Sequence, residues 1–186
     1  MSVEVIQSFQ HFFDCCVGRW QSERTYHYLT QSLVERSHTE FIIHPLSVLA
    51  KQAVLRDNDY GTVDHLEGCP GYHLAFDTVS ERGEQVAHAL NFLFVYREDG
   101  AGVLRGDYLR DRAYEEAKPM VSAFEFFPEQ NQLRMKTFYT QVVSVDTITL
   151  VNPTLRLRTI LNYRRSLSED PLTEVALAGF GVEQKQ

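Results

Sequence analysis

Arginines at alternate positions of two strand-like segments carry the most legible chemistry in this sequence. Near the start, Gly18-Arg19-Trp20-Gln21-Ser22-Glu23-Arg24-Thr25-Tyr26-His27-Tyr28 reads as a strand, and alternation puts Trp20, Ser22, Arg24 and Tyr26 on one side. Near the end, Asn152-Pro153-Thr154-Leu155-Arg156-Leu157-Arg158-Thr159 puts Arg156 and Arg158 on one side and Leu155 and Leu157 on the other. Guanidinium forks grip carboxylates two bonds at a time. If both arginine faces line one cavity, they suit a flat ligand with two negative charges, held against an aromatic wall.

A plainer reading stands beside that one: the leucines face a core and the arginines face water. Inward arginines need an acidic neighbour or a bound anion, because a buried charge without a partner is expensive. Asp146, on the preceding strand, is the candidate carboxylate. Trp20 either stacks on a ligand or on Arg24, or it anchors the core while Arg24 snorkels to a barrel mouth. His27 falls on the opposite face and reads as a half-buried strand histidine. Leu109-Arg110-Asp111-Arg112-Ala113-Tyr114 has mixed charge and reads as a solvated strand end or turn. A nucleophile elbow, a Walker glycine loop and a His-Glu-x-x-His zinc motif are all missing from the sequence.

The elements that must position these residues follow from periodicity. Residues 2 to about 17 read as a helix: Val5, Phe9, Phe12, Phe13 and Cys16 recur at helical spacing, and Gly18 stops it. The period then changes to two. Strand-like runs fall at 20–29, 33–43, 72–78, 87–96, 103–109, 121–127, 132–141, 143–151, 155–165 and 173–182. Turn residues separate many of them: Glu98-Asp99-Gly100, Pro128-Glu129-Gln130-Asn131, Asn152-Pro153 and Ser168-Glu169-Asp170-Pro171. A further short helix is expected between residues 45 and 57, started by Pro45, and 58–70 reads as irregular. About ten successive strands with short turns predict an all-β antiparallel barrel that removes its edges by closing, with a sandwich as competitor.

The chain has 186 residues, 44% hydrophobic and 23% charged, which suits one domain spanning 1–186. Its formal charge of −7 disfavours nucleic acid and anionic membranes as partners. Cys15, Cys16 and Cys69 are odd in number and include an adjacent pair, so they read as buried thiols rather than a disulfide framework or a metal site. With no spanning apolar run and no basic leader, a cytoplasmic protein is expected.

Three blocks then carry a resemblance: Gly18-Arg19-Trp20-x-Ser22-x-Arg24-Thr25-x-His27, Leu109-Arg110-Asp111-Arg112-x-Tyr114, and Asn152-Pro153-x-Leu155-Arg156-Leu157-Arg158-Thr159. In this order they resemble the CpcS/CpeS-type phycobiliprotein chromophore lyases. The resemblance implies a ten-stranded calycin barrel, like that of fatty-acid-binding proteins. It implies binding of a free bilin, phycocyanobilin foremost, and its attachment as a thioether to a cysteine of an apo-phycobiliprotein, an EC class 4 lyase reaction. The bilin is substrate, and neither a cofactor nor a metal is implied. Asp146, Arg156 and Arg158 are the expected catalytic residues; Trp20, Ser22, Arg24, His27, Phe76 and Thr159 are the expected ligand contacts. Asp146 stands where the family usually has glutamate, and Phe76 where it has a tryptophan. A non-catalytic bilin carrier, and a partner subunit of a heteromeric lyase, are the alternative functions. A homodimer or a heterodimer with a related subunit is an open expectation, and the compartment implied is the cyanobacterial cytoplasm or plastid stroma.

Overall fold

The computed structural model describes residues 3–97, 102–112, 118–165 and 172–186. The expected turns at 98–100 and 168–171, and Ala113 and Tyr114, lie outside the described residues. Helix α1 (Val3–Cys16) ends where Gly18 takes a left-handed φ of 121°, a conformation open to glycine. Ten strands follow: β1 (Gly18–Tyr28), β2 (Leu33–Pro45), β3 (Gly71–Ser80), β4 (Gln85–Arg97), β5 (Leu104–Arg110), β6 (Met120–Phe127), β7 (Gln132–Phe138), β8 (Val142–Asn152), β9 (Leu155–Arg164) and β10 (Val175–Lys185). Each pairs antiparallel with its sequence neighbour, and β1 pairs with β10, so the sheet closes on itself. That closure satisfies every edge and decides for the barrel over the sandwich.

Alternation assigns the interior. The inward residues of β4 and β6 include Phe92, Phe94, Phe124 and Phe126, all buried. Helix α1 seats its apolar stripe among them: Phe9 stacks on Phe124 at 5.4 Å, and Phe13 lies 4.8 Å from Phe94 and 5.3 Å from Tyr72. The helix thereby closes one end of the barrel. Trp20 joins helix to sheet, because its indole N–H donates to the Cys16 carbonyl at 2.9 Å. Trp20→Phe keeps an aromatic ring but leaves that carbonyl without this donor and opens a small void. The expected loss is about 1–3 kcal/mol of unfolding free energy, read from urea titration.

Helix α2 (Val48–Asp57) lies outside the barrel against β4 and β5. Its start differs from expectation: Pro45 ends β2, and Ser47 is the cap, its hydroxyl accepting from the Ala50 N–H at 3.3 Å. Pro45 cannot initiate the helix because its backbone is still paired with Tyr72 in the sheet. Val54, Leu55 and Leu66 are buried in one apolar cluster with Leu93 and Leu109, whose strand phase turns them away from the lumen. Among the described residues, no helix is long and apolar enough to cross a membrane.

Candidate functional site

The lumen holds a cavity of about 450 Å³, bordered among others by Arg24, Phe76, Arg110, Asp146, Arg156 and Arg158. Strand register brings the arginines together. Arg24 on β1 and Arg158 on β9 both pair with Gly181 of the intervening β10. A Cβ at Gly181 would stand 3.3 Å from the Arg24 stem and 3.7 Å from that of Arg158, so this glycine leaves room for both. One step along, Ser22 and Arg156 both pair with Glu183.

The arginines therefore face inward, and each has a carboxylate beside it. Arg156 donates from Nε to Glu183 at 2.7 Å, and its guanidinium carbon lies 4.5 Å from the Trp20 ring and 5.2 Å from the Phe41 ring. Arg24 donates to the other Glu183 oxygen at 3.3 Å and to the Ser22 hydroxyl at 3.1 Å. Arg158 grips Asp146 with two nitrogens; Nε sits 2.9 Å and 3.1 Å from its two oxygens. Side-chain exposure separates the three: 4% for Arg156, against 14% for Arg24 and 16% for Arg158. Arg156 is locked into the wall, whereas Arg24 and Arg158 can be reached from the cavity.

Charge pairing overrides burial here. Burial pushes the Glu183 carboxyl up, but Arg156, Arg158 and Arg24 outweigh it and hold the pKa below the ordinary carboxylate range. Burial likewise opposes the charge on Arg156, and the Glu183 carboxylate together with Cys16 more than restores it. The thiols respond differently. Burial pushes Cys16 up despite the adjacent Arg156, and raises Cys69 to about 11. Both are therefore protonated and weakly nucleophilic near neutral pH.

Several expected ligand contacts sit elsewhere. Trp20 faces inward but is 1% exposed, with Arg156 laid over its ring, so it supports the cavity wall. Ser22 is fully buried behind Arg24. His27 and Thr159 face outward, because each is one residue out of phase with the inward arginines of its strand. The His27 ring lies 6.2 Å from the exposed Phe180 ring, and Thr159 pairs with Phe180. Phe76 does border the cavity, beside His88 at 5.9 Å.

Two residues were missed. The reading that ended the last strand at 182 left out Glu183, yet that strand runs to Lys185 and Glu183 is the carboxylate of both Arg156 and Arg24. The available signal was misleading, since Val182 and Phe180 are the apolar residues and both face outward. Arg110 is likewise no solvated strand end. It is 2% exposed, because the strand phase that turns Leu104 and Tyr108 inward carries Arg110 with them. Among the described residues, no group of three or more His, Cys, Asp or Glu side chains is placed to hold a metal ion.

Comparison with known proteins agrees with this architecture. A family model described as "CpeS-like protein" matches residues 8–186. The chain is 55% identical to chromophore lyase CpcS/CpeS 1 of Synechococcus sp. (strain JA-3-3Ab), over 98% of this chain and 99% of that protein. It is 26% identical to chromophore lyase CpcS/CpeS 2 of Trichodesmium erythraeum, over 79% of this chain and 74% of that one. In fold it resembles the S-type phycobiliprotein lyase CPES of Guillardia theta, with a TM-score of 0.75 and 16% identity, covering 100% of this chain and 98% of the other.

Proposed function

The chain belongs to the CpeS-like protein family, and from that premise we propose that it is a chromophore lyase that attaches a free bilin to a cysteine of an apo-phycobiliprotein. The observation that carries this reading is the lumen itself: Arg24, Arg156 and Arg158 face one cavity, where the Glu183 and Asp146 carboxylates hold them in place. A linear tetrapyrrole with two propionates supplies the negative charge this arrangement accommodates, and its pyrrole edges suit the aromatic wall.

In this reading Arg24 and Arg158 bind propionate; Arg156 positions Arg24 through Glu183, and Asp146 positions Arg158. Asp146 accepts from pyrrole N–H groups and favours the protonated chromophore. The barrel keeps the chromophore in one conformation and leaves its ring-A ethylidene at the open end. The partner's cysteine thiolate adds to the ethylidene carbon. A carbon–sulfur bond forms at that carbon, the ethylidene π bond breaks, and the adjoining ring carbon takes up the proton the thiol gave, so the thiol adds across the double bond with no leaving group. Rate comes from positioning and from excluding water and stray thiols. The bilin is substrate, phycocyanobilin is the one we favour, and no resident cofactor takes part. The reaction is placed in the cyanobacterial cytoplasm or the plastid stroma.

Reconstitution tests this directly: the purified chain, phycocyanobilin and an apo-phycobiliprotein β-subunit, followed by absorbance and by bilin fluorescence on a denaturing gel. A covalent, red-absorbing product forming faster than without the chain is expected. Binding with no gain in rate would make the protein a carrier; activity restored only by a related chain would make it one subunit of a pair. Since the nucleophile belongs to the partner, a folded variant with all three cysteines replaced by alanine transfers bilin within about threefold of the unaltered chain. Loss of transfer in that variant would contradict the mechanism.

A further inference from the structure

Among the described residues, a further lumen-facing cation lies apart from the cluster above. Arg110, at the end of β5, borders the same cavity as Arg24 and Arg158. In the closed ring of strands it stands opposite β10: β9, β8, β7 and β6 separate them on one side, and β1, β2, β3 and β4 on the other. Its guanidinium donates to three hydroxyls, Tyr139 at 3.1 Å and Ser122 and Thr137 at 3.3 Å each, and lies 5.1 Å from the Tyr108 ring. Ser122 and Thr137 also bond each other at 2.9 Å. A hydroxyl rotor both accepts and donates, so this trio can turn from solvating the guanidinium to donating to an incoming carboxylate. The lumen therefore presents cations on two facing walls, and the second one sits in a cradle of adaptable donors.

We propose that Arg110, with the Tyr139, Ser122 and Thr137 hydroxyls, is a second carboxylate station that holds one propionate of the bilin while Arg24 and Arg158 hold the other. The proposal rests on the bilin reading above and deepens it. Splitting the propionates between facing walls fixes the tetrapyrrole across the lumen in one orientation. That orientation decides which end ring, and hence which reactive carbon, points toward the partner's thiol. Arg110 is then a binding and orienting residue, and the block Leu109-Arg110-Asp111-Arg112 gains a ligand-facing purpose.

The test is to titrate unaltered chain, Arg110→Gln and Arg110→Lys with phycocyanobilin and with its two regioisomeric propionate monomethyl esters. Arg110→Gln is expected to lower affinity for the diacid, and for one monoester, about 20-fold. For the other monoester, whose blocked propionate is the one Arg110 would hold, the loss is at most about twofold. Arg110→Lys keeps a cation among the hydroxyls and shows the same selectivity with a loss of about fivefold, so it carries the test if the glutamine variant does not fold. Equal losses for all three ligands, or none, in the folded variants would reduce Arg110 to a structural part of the wall and overturn the proposal. No binding by the unaltered chain would instead overturn the lyase reading, and this one with it.

Discussion

Glu183→Gln is expected to lower the unfolding free energy by about 3–5 kcal/mol, the largest stability effect of any single polar substitution in the lumen. Glu183 is fully buried and compensates Arg156 and Arg24 at once. Removing its charge leaves Arg156, itself 3% exposed, with no carboxylate in contact among the described residues, so the penalty is that of a buried, uncompensated guanidinium. Glu183→Leu combined with Arg156→Met should recover most of the stability, since apolar side chains can replace a buried pair at little net cost. That double variant should still transfer bilin poorly, because Arg24 has lost its anchor. The pH dependence has a definite sign. Glu183 has a folded pKa below its unfolded one, so its stabilisation is complete above the ordinary carboxylate value of about 4.3 and disappears as pH falls through the lower folded value. Urea titrations across the acid range should show a stability limb in the unaltered chain that is diminished in Glu183→Gln. Equal stability of the two at neutral pH would mean that Arg156 does not depend on this carboxylate.

How far the sequence could anticipate this site depends on which interaction decided each residue's place. The barrel was legible because alternation and turn chemistry are local, and each expected strand overlaps one in the structure. The inward turn of Arg156 and Arg158 was not decidable locally, since Leu155 and Leu157 offer an equally good apolar face on the other side. What decides it is Glu183, near the far end of β10, whose register against β9 is not fixed by a tight turn. Asp146 was correctly placed beside an arginine because β8 and β9 form a hairpin with a short turn, so their register follows from nearby residues. Arg110 was misread for a related reason. A charged run at a strand end looks solvated until Ser122, Thr137 and Tyr139 from two later segments surround it. His27 and Thr159 show the reverse: motif membership suggested the ligand, whereas simple alternation, applied to the same strands, puts both outside.

The largest effect on activity falls to Arg158. Arg158→Met is expected to reduce transfer about 100-fold, roughly 2.7 kcal/mol of transition-state stabilisation, with a stability loss of only about 1 kcal/mol. The asymmetry follows from exposure. Arg158 and Asp146 are 16% and 18% exposed at the cavity, so breaking their pair leaves Asp146 in contact with solvent, unlike the sealed Arg156–Glu183 pair. The activity loss combines a lost charge-assisted bond to propionate with a chromophore no longer held in attack geometry. Asp146→Asn separates these contributions: it preserves shape and removes the carboxylate charge that Arg158 grips. The expected result is bilin affinity unchanged or higher, a less red absorption of the bound chromophore, and transfer slower by about tenfold. Single-turnover rates and bound-state spectra of the two variants distinguish the roles, Arg158 acting on binding and rate together and Asp146 on colour and rate. If Arg158→Met transferred bilin at the unaltered rate, propionate capture at the β8–β9 wall would be excluded, and the ligand's carboxylates would have to meet Arg24 and Arg110 instead.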